Sequence, residues 1–322
     1  MRRVDDSEYR FSLSLASLLI AEQLADSEPD ETRRTRKQNA AQEKWSLLRN
    51  TFSRDLGDLH GYGGTGPAVR QLIQAFEHIT RRWPLEQRWM LLIDLVMADP
   101  FAPYGLRVTI NDFREAVGTV ATALDLGEDH AELLDIWHEI LKSYSPSRWK
   151  TVIALSSLTT SALWTNGPDP VAAAAVAAAA GLDGPAATAH GVAMLGGGSL
   201  SLGGSDLAAG MWLLSTDDEP GPVLSGGGGI GLLALGPAQA RVELVKLQLN
   251  FRLVIRNGRS DSVTGHDLTS ALDRIADDLR TQLELELRVN DDDAPRISDI
   301  EVVRADVDAA ARMVDEVVEQ AA

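Results

Sequence analysis

The sequence predicts an all-α protein, and two patterns carry that prediction. Outside the centre of the chain, apolar residues recur every three or four positions, which is the spacing of one face of a helix. The centre is rich in alanine and glycine with small residues at helical spacing, which is typical of closely packed helices. With 322 residues and 44% hydrophobic content, the chain can bury a substantial core in two or three structural units.

We divide the chain into four regions by composition. Residues 1–66 form N-terminal helices and a linker, 67–147 a helical domain, 148–240 a Gly/Ala-rich apolar helical region, and 241–322 a charged helical hairpin.

The N-terminal region predicts two helices. Residues 9–26 carry Phe11, Leu15 and Leu18 at helical spacing, which favours an amphipathic helix over a signal peptide. The mixed-charge stretch 32–37 is predicted to be a solvated linker, because acidic residues flank it. Trp45, with Leu48, Phe52 and Leu56, then marks a second helix.

The glycine-rich loop His60–Pro67 does not predict a phosphate site. It lacks the Gly-Lys-Ser/Thr ending of a phosphate-binding loop, and no strand precedes it. We expect it to be a flexible connection, with a helix starting at Pro67.

Three more helices are predicted between residues 84 and 144, over 85–97, 110–124 and 129–141. The segments that carry them resemble the helical domain of the tellurite-resistance TerB-like family over about 60 residues: Leu91–Asp99, Asn111–Glu115, Val120–Gly127 and Leu134–Trp137. In that family an acidic loop joins two helices and a leucine-rich third helix follows. This chain has Pro100–Gly105 in place of the acidic loop, which puts the metal binding that the resemblance implies in doubt.

The carboxylates and the histidine of this domain were weighed as metal ligands. Candidates are Asp94, Asp99, Asp112 and Glu115, or the pair Asp135 and His138 one helical turn apart. Because such groups on exposed helix faces are usually solvated, we predict no metal site and no cofactor. Without a cysteine, thiol catalysis and cysteine-based zinc sites are excluded.

The central region contains no Lys or Arg from Thr151 to Ala240, although the protein has 30 of them. We call this segment the cation-free window. It holds 17 of the 27 glycines, and the acidic turn Thr216–Gly221 separates two charge-poor runs, which predicts a helical hairpin over 184–240. Either run is long enough to cross a bilayer as a helix, although Gly, Ala and Ser supply little transfer energy and Asp206 would cost about 3 kcal/mol at its centre.

Small residues in this window recur every fourth position, which allows helices to approach to backbone contact. We predict that these are the membrane or oligomer packing residues: Ala189, Ala193, Gly197, Ser201, Ser205, Ala209, Gly227 and Gly231. Trp149, Trp164 and Trp212 lie near the ends of the apolar runs and are predicted to be interfacial; ordinary packing is the equal alternative. The apolar tract resembles that of the transmembrane-and-coiled-coil family, but the hydrolase motif of that family is missing.

The C-terminal region predicts helices, with two local alternatives. Residues 241–256 fit a helix with a wide apolar face, although their alternation also fits a strand; residues 283–289 carry a similar ambiguity. Apolar stripes over 268–287 and 300–318 predict an antiparallel helical hairpin.

Two functions follow from these patterns. The first is a conditional membrane-associating or pore-forming effector that shelters the apolar hairpin, in the cytoplasm or at the membrane, with a role in bacterial defence or conflict. The alternative is a soluble all-α scaffold or homo-oligomeric interaction protein with a tightly packed Gly/Ala core and a protein partner at 241–322. We predict no enzymatic activity, and the net charge of -17 argues against nucleic acid as a partner.

Overall fold

The computed structural model of the chain describes residues 6–51, 68–102, 104–127, 130–143, 153, 232–233, 237–255, 265–290 and 294–321. Every element in these ranges is helical, which confirms the all-α prediction. The chain divides into two compact units, Met1–Leu195 and Gly196–Ala322.

The first unit contains six described helices: α1 Asp6–Asp26, α2 Glu31–Thr51, α3 Ala68–Thr80, α4 Leu85–Met97, α5 Ile110–Ala123 and α6 His130–Ser143. Helix α1 lies at the centre and contacts α2, α3, α4 and α5, while α6 packs against α4 and α5. The start of α1 is tied to the turn after α3, because Trp83 donates to Glu8 at 2.8 Å and stacks on Tyr9.

Local signals explain several helix boundaries. Asp30 accepts a hydrogen bond from the backbone N–H of Arg33 at 2.8 Å and caps α2, and the Thr109 hydroxyl does the same for α5 with Asp112 at 3.2 Å. Gly127 ends the turn after α5 with a φ of 66°, a left-handed conformation that glycine adopts without strain.

The second unit contains α7 Pro237–Asn250, a π-helical segment Phe251–Ile255, α8 Gly265–Val289 and α9 Pro295–Ala321. Helices α8 and α9 form the predicted hairpin, and α7 packs against α9. The apolar stripes meet in one core that includes Leu244, Leu272, Ile275, Val303 and Val307. Residues 241–255 and 283–289 are helical, so the strand alternatives were wrong.

Two expectations about the N-terminal helices were wrong. Helix α1 is not amphipathic: every residue from Phe11 to Glu22 is buried, including three serines. The supposed linker 32–37 lies inside α2, and Lys37 is only 2% exposed. A buried ion pair and a capping aspartate make this charged stretch helical, and composition alone does not reveal either contact.

Candidate functional site

The residues predicted to pack in a membrane or an oligomer lie outside the described residues, from Ala189 to Gly231. The same holds for Trp149, Trp164 and Trp212, for the loop His60–Pro67, and for nearly all of the segment 151–164, of which Ile153 is described as helical. Among the described helices, none combines the length and apolar character that a bilayer crossing requires. The helices on either side of the cation-free window therefore supply the structural observations.

Helix α1 is buried in the first unit along its middle section, from Phe11 to Glu22. Its apolar residues fill the centre of the bundle, and Ser12 and Ser14 are completely buried with it. Their hydroxyl groups have no hydrogen-bond partner among the described residues. Small side chains here let the surrounding helices approach α1 closely, at the cost of two unsatisfied hydroxyls.

Glu28 and Lys37 form a buried ion pair where α1 turns into α2. The Lys37 ammonium lies 2.7 Å from the Glu28 carboxylate and donates to the Leu24 carbonyl at 3.4 Å. It also stands 5.8 Å from the centre of the Phe101 ring. The hydrogen bond from Lys37 is the main reason that the pKa of Glu28 is lowered. This pair fixes the α1–α2 turn.

Lys44 is a second buried lysine, also on α2. Its ammonium lies 3.4 Å from the Ser17 hydroxyl of α1. Burial lowers the pKa of Lys44 to about 8, and Asp99 acts in the opposite direction. Burial also raises the pKa of Asp99, opposed by its hydrogen bond from the Phe101 N–H and by Lys44.

Glu22 places a carboxyl group on the buried face of α1. Burial, with a smaller contribution from the nearby Asp26, raises the pKa of Glu22 to about 7. The first bundle therefore holds ionisable groups whose charge changes near neutral pH.

Helix α7 marks the point where the cation-free window ends. Its residues from Ala240 to Asn250 are all buried, including Arg241, Glu243 and Lys246. Arg241 is the first cation after the window, and its guanidinium lies 2.8 Å from the carboxylate of Asp306 on α9. A buried ion pair therefore fixes this end of the window to the C-terminal hairpin.

Two of the carboxylates considered as metal ligands make separate structural contacts. Asp94 accepts a hydrogen bond from Tyr9 at 2.7 Å, and Asp135 pairs with Arg114 at 2.9 Å. The backbone of Asp112 takes part in the α5 cap. Within the described ranges, no three carboxylate or histidine side chains meet as a metal site.

A cavity of about 710 Å³ lies in the first unit between α4, α5 and α6. Most of its lining is apolar, and Val96, Met97, Phe113, Leu134 and Trp137 contribute to it. Asp99 and His138, two of the candidate metal ligands, line the same cavity. The sequence points to these polar residues but not to the cavity, because part of the lining comes from the segment between α4 and α5, which has no regular apolar pattern.

Comparisons give the chain no relative. No family model, no curated protein and no solved structure matches it. The TerB-like resemblance therefore stays a prediction.

Proposed function

We propose that this protein is a conditional membrane-associating, pore-forming effector that shelters the apolar hairpin 184–240 until a trigger releases it. The observation that carries the proposal is the cation-free window, in which 90 consecutive residues hold no Lys or Arg in a chain with 30 of them. Small residues every fourth position would let released helices pack through their backbones in a bilayer. We assign no catalytic reaction, cofactor or metal to it.

The burial of two helices supports this proposal. Residues 11–22 of α1 and 240–250 of α7 are buried on all faces, and a helix buried in this way is found in protein cores or in membranes. The Arg241–Asp306 ion pair then acts as an attachment between the end of the window and α9. Such an attachment suits a segment that has to stay in place before release.

The weak hydrophobicity of the hairpin explains why association is conditional. Gly, Ala and Ser gain little on transfer into lipid, and Asp206 opposes it, so the packed state competes with the membrane. A role in bacterial defence or conflict, starting from the cytoplasm, fits a sheltered toxic segment.

Vesicle leakage tests this proposal. Purified full-length protein is added to dye-loaded vesicles of neutral or anionic lipid at neutral and acidic pH, and release is compared with that of Gly197→Leu and Gly204→Leu. Gly197 belongs to the four-residue repeat and Gly204 does not, so we expect Gly197→Leu to abolish leakage and Gly204→Leu to retain it. If the unmodified protein neither binds nor permeabilises any of these vesicles, the proposal is wrong.

A soluble scaffold or homo-oligomer is the second candidate, and one surface favours it. At the end of α8, Leu285 and Val289 are four residues apart on one helix face and are 48% and 77% exposed. Exposed apolar side chains on one face indicate a partner or a second copy at 241–322. If this function is correct, the purified protein forms a defined oligomer. The double variant Leu285→Glu, Val289→Glu should then have a smaller particle mass in light scattering and unchanged helicity in circular dichroism.

A further inference from the structure

We propose that the cavity between α4, α5 and α6 binds a small carboxylate with a chain-like apolar body, such as a medium-chain fatty acid. The residues that line this cavity all lie in the first unit.

The size and lining of the cavity indicate an apolar ligand body. Its volume of about 710 Å³ falls within the range of about 300–1,000 Å³ in which proteins bind small molecules. Leu134 and Trp137 from α6 and Val96 and Met97 from α4 form buried walls. Ile110 lines the cavity and is 46% exposed, so a large apolar side chain lies at its opening.

Three of the four polar residues that line the cavity are held by the chain itself. Asp99 accepts the N–H of Phe101 at 2.8 Å, and the Thr109 hydroxyl accepts the N–H of Asp112 at 3.2 Å. The Nδ1–H of His138 donates to the Leu134 carbonyl at 3.2 Å. These contacts hold the three side chains in place along the walls of the cavity.

Lys142 is the fourth polar residue and selects the charge of the ligand. It is exposed at the end of α6, and among the described residues it has no ion pair or hydrogen bond. An ammonium next to an apolar cavity complements a molecule with an apolar body and an anionic head. A carboxylate at the opening would pair with Lys142 while its chain fills the cavity.

Calorimetric titration of the full-length protein with three probes of one chain length tests the site. The probes are dodecanoate, dodecanol and dodecyltrimethylammonium, each kept below the concentration at which it forms micelles. We expect dodecanoate to bind with one-to-one stoichiometry, the alcohol to bind more weakly and the ammonium to bind most weakly. If the ammonium binds as well as the carboxylate, or if dodecanoate does not bind, the inference is wrong.

A variant of Lys142 and a matched control distinguish binding in this cavity from binding to another apolar surface of the chain. Lys142→Gln should weaken dodecanoate binding about fivefold and leave dodecanol unchanged, because an exposed ion pair contributes up to ~1 kcal/mol. Arg82 is an exposed cation in the turn after α3, so Arg82→Gln is the matched control and should change the affinity for neither dodecanoate nor dodecanol.

Filling the cavity gives the second test. Leu106 lines the cavity from the loop between α4 and α5 and is partly exposed, so Leu106→Trp can add volume with little disturbance of the core. We expect it to reduce binding of both dodecanoate and dodecanol by more than about tenfold while the melting temperature is kept. Unchanged binding in both Lys142→Gln and Leu106→Trp would place the ligand elsewhere and overturn the inference.

Discussion

Individual buried polar residues show how the first bundle tolerates charge. Lys37 and Lys44 belong to the same helix and both are buried, yet Lys37 meets a carboxylate at 2.7 Å whereas Lys44 meets a serine hydroxyl at 3.4 Å. Burial therefore lowers the pKa of Lys44 to about 8. At Lys44 the desolvation cost outweighs the favourable charge of Asp99, which acts to raise the pKa.

Glu22→Gln tests the cost of burying a carboxyl group. The pKa of Glu22 is raised to about 7 in the folded protein, above its usual 4.5, so the folded state favours the protonated form. Its contribution to stability is therefore present below pH 4.5 and lost as the pH rises through about 7. In acid, we expect Glu22→Gln to have the same free energy of unfolding as the unmodified protein. Above about pH 7 its free energy of unfolding should be larger by about 1–2 kcal/mol, allowing for solvent screening.

Urea denaturation on both sides of this pH range measures the effect. Glu77→Gln, an exposed position on α3, serves as the control and should show no such pH dependence. If Glu22→Gln increased the free energy of unfolding equally in acid and in base, the raised pKa of Glu22 would not be the cause.

Ser14→Ala and Ser17→Ala should differ in their effect on stability, although both serines are buried in α1. Ser14 has no hydrogen-bond partner among the described residues, so removing its hydroxyl should be neutral or stabilise the protein by up to ~1 kcal/mol. Ser17 accepts a hydrogen bond from the buried Lys44, so removing its hydroxyl should destabilise the protein by about 1 kcal/mol. Chemical denaturation of both variants checks this, and equal signs would contradict it.

At the scale of helices, much of the fold could be predicted from periodicity. The expected helix 85–97 matches α4 at both ends, and the helices expected over 110–124 and 129–141 match α5 and α6 within two residues. Periodicity succeeds for α5 and α6 because each buries one face and exposes another, and in α4 half-buried positions alternate with buried ones. For α1, periodicity predicted an amphipathic helix, and this was wrong because the bundle also buries the serines that separate its apolar residues.

Composition failed where tertiary contacts overrule it. Residues 32–37 carry enough charge to indicate a linker, but Asp30 caps the helix and Glu28 pairs with Lys37. The cavity was missed for a similar reason, because packing between three helices creates it. Its lining residues come from distant parts of the chain and show no local pattern.

The Arg241–Asp306 pair allows a direct test of how α7 is attached to α9. Arg241→Met or Asp306→Leu alone leaves one buried charge without its partner and should cost about 3–5 kcal/mol, whereas the double variant should cost much less. Arg280→Met, which removes an exposed pair with Asp277 on α8, should change stability by less than about 1 kcal/mol. Urea denaturation followed by circular dichroism gives all four values, and additive single effects would contradict the coupling.

For the whole molecule, charge distribution connects the fold with the proposed function. The chain has a net charge of -17, yet the cation-free window contains few charged residues of either sign. The window holds six acidic residues and no cation, and the flanking regions carry the other 41 acids together with all 30 cations, so both parts of the chain are acidic. The proposed site in the window was predicted from composition alone, and its packing residues lie outside the described residues.

This distribution predicts which membranes the protein binds. An acidic body repels anionic lipid, so without cations in the window binding should favour neutral over anionic vesicles at about 0.01 M salt, where electrostatic forces extend ~30 Å. At about 1 M salt the range falls to ~3 Å and the preference should nearly disappear. Co-sedimentation with the two kinds of vesicle measures this preference.

Replacing the exposed acids Asp273, Glu284 and Glu301 with their amides should reduce the preference at low salt, because they contribute to the repelling surface. A preference for anionic vesicles would mean that a cationic surface makes the first contact, and the window would then not be what brings the protein to the membrane.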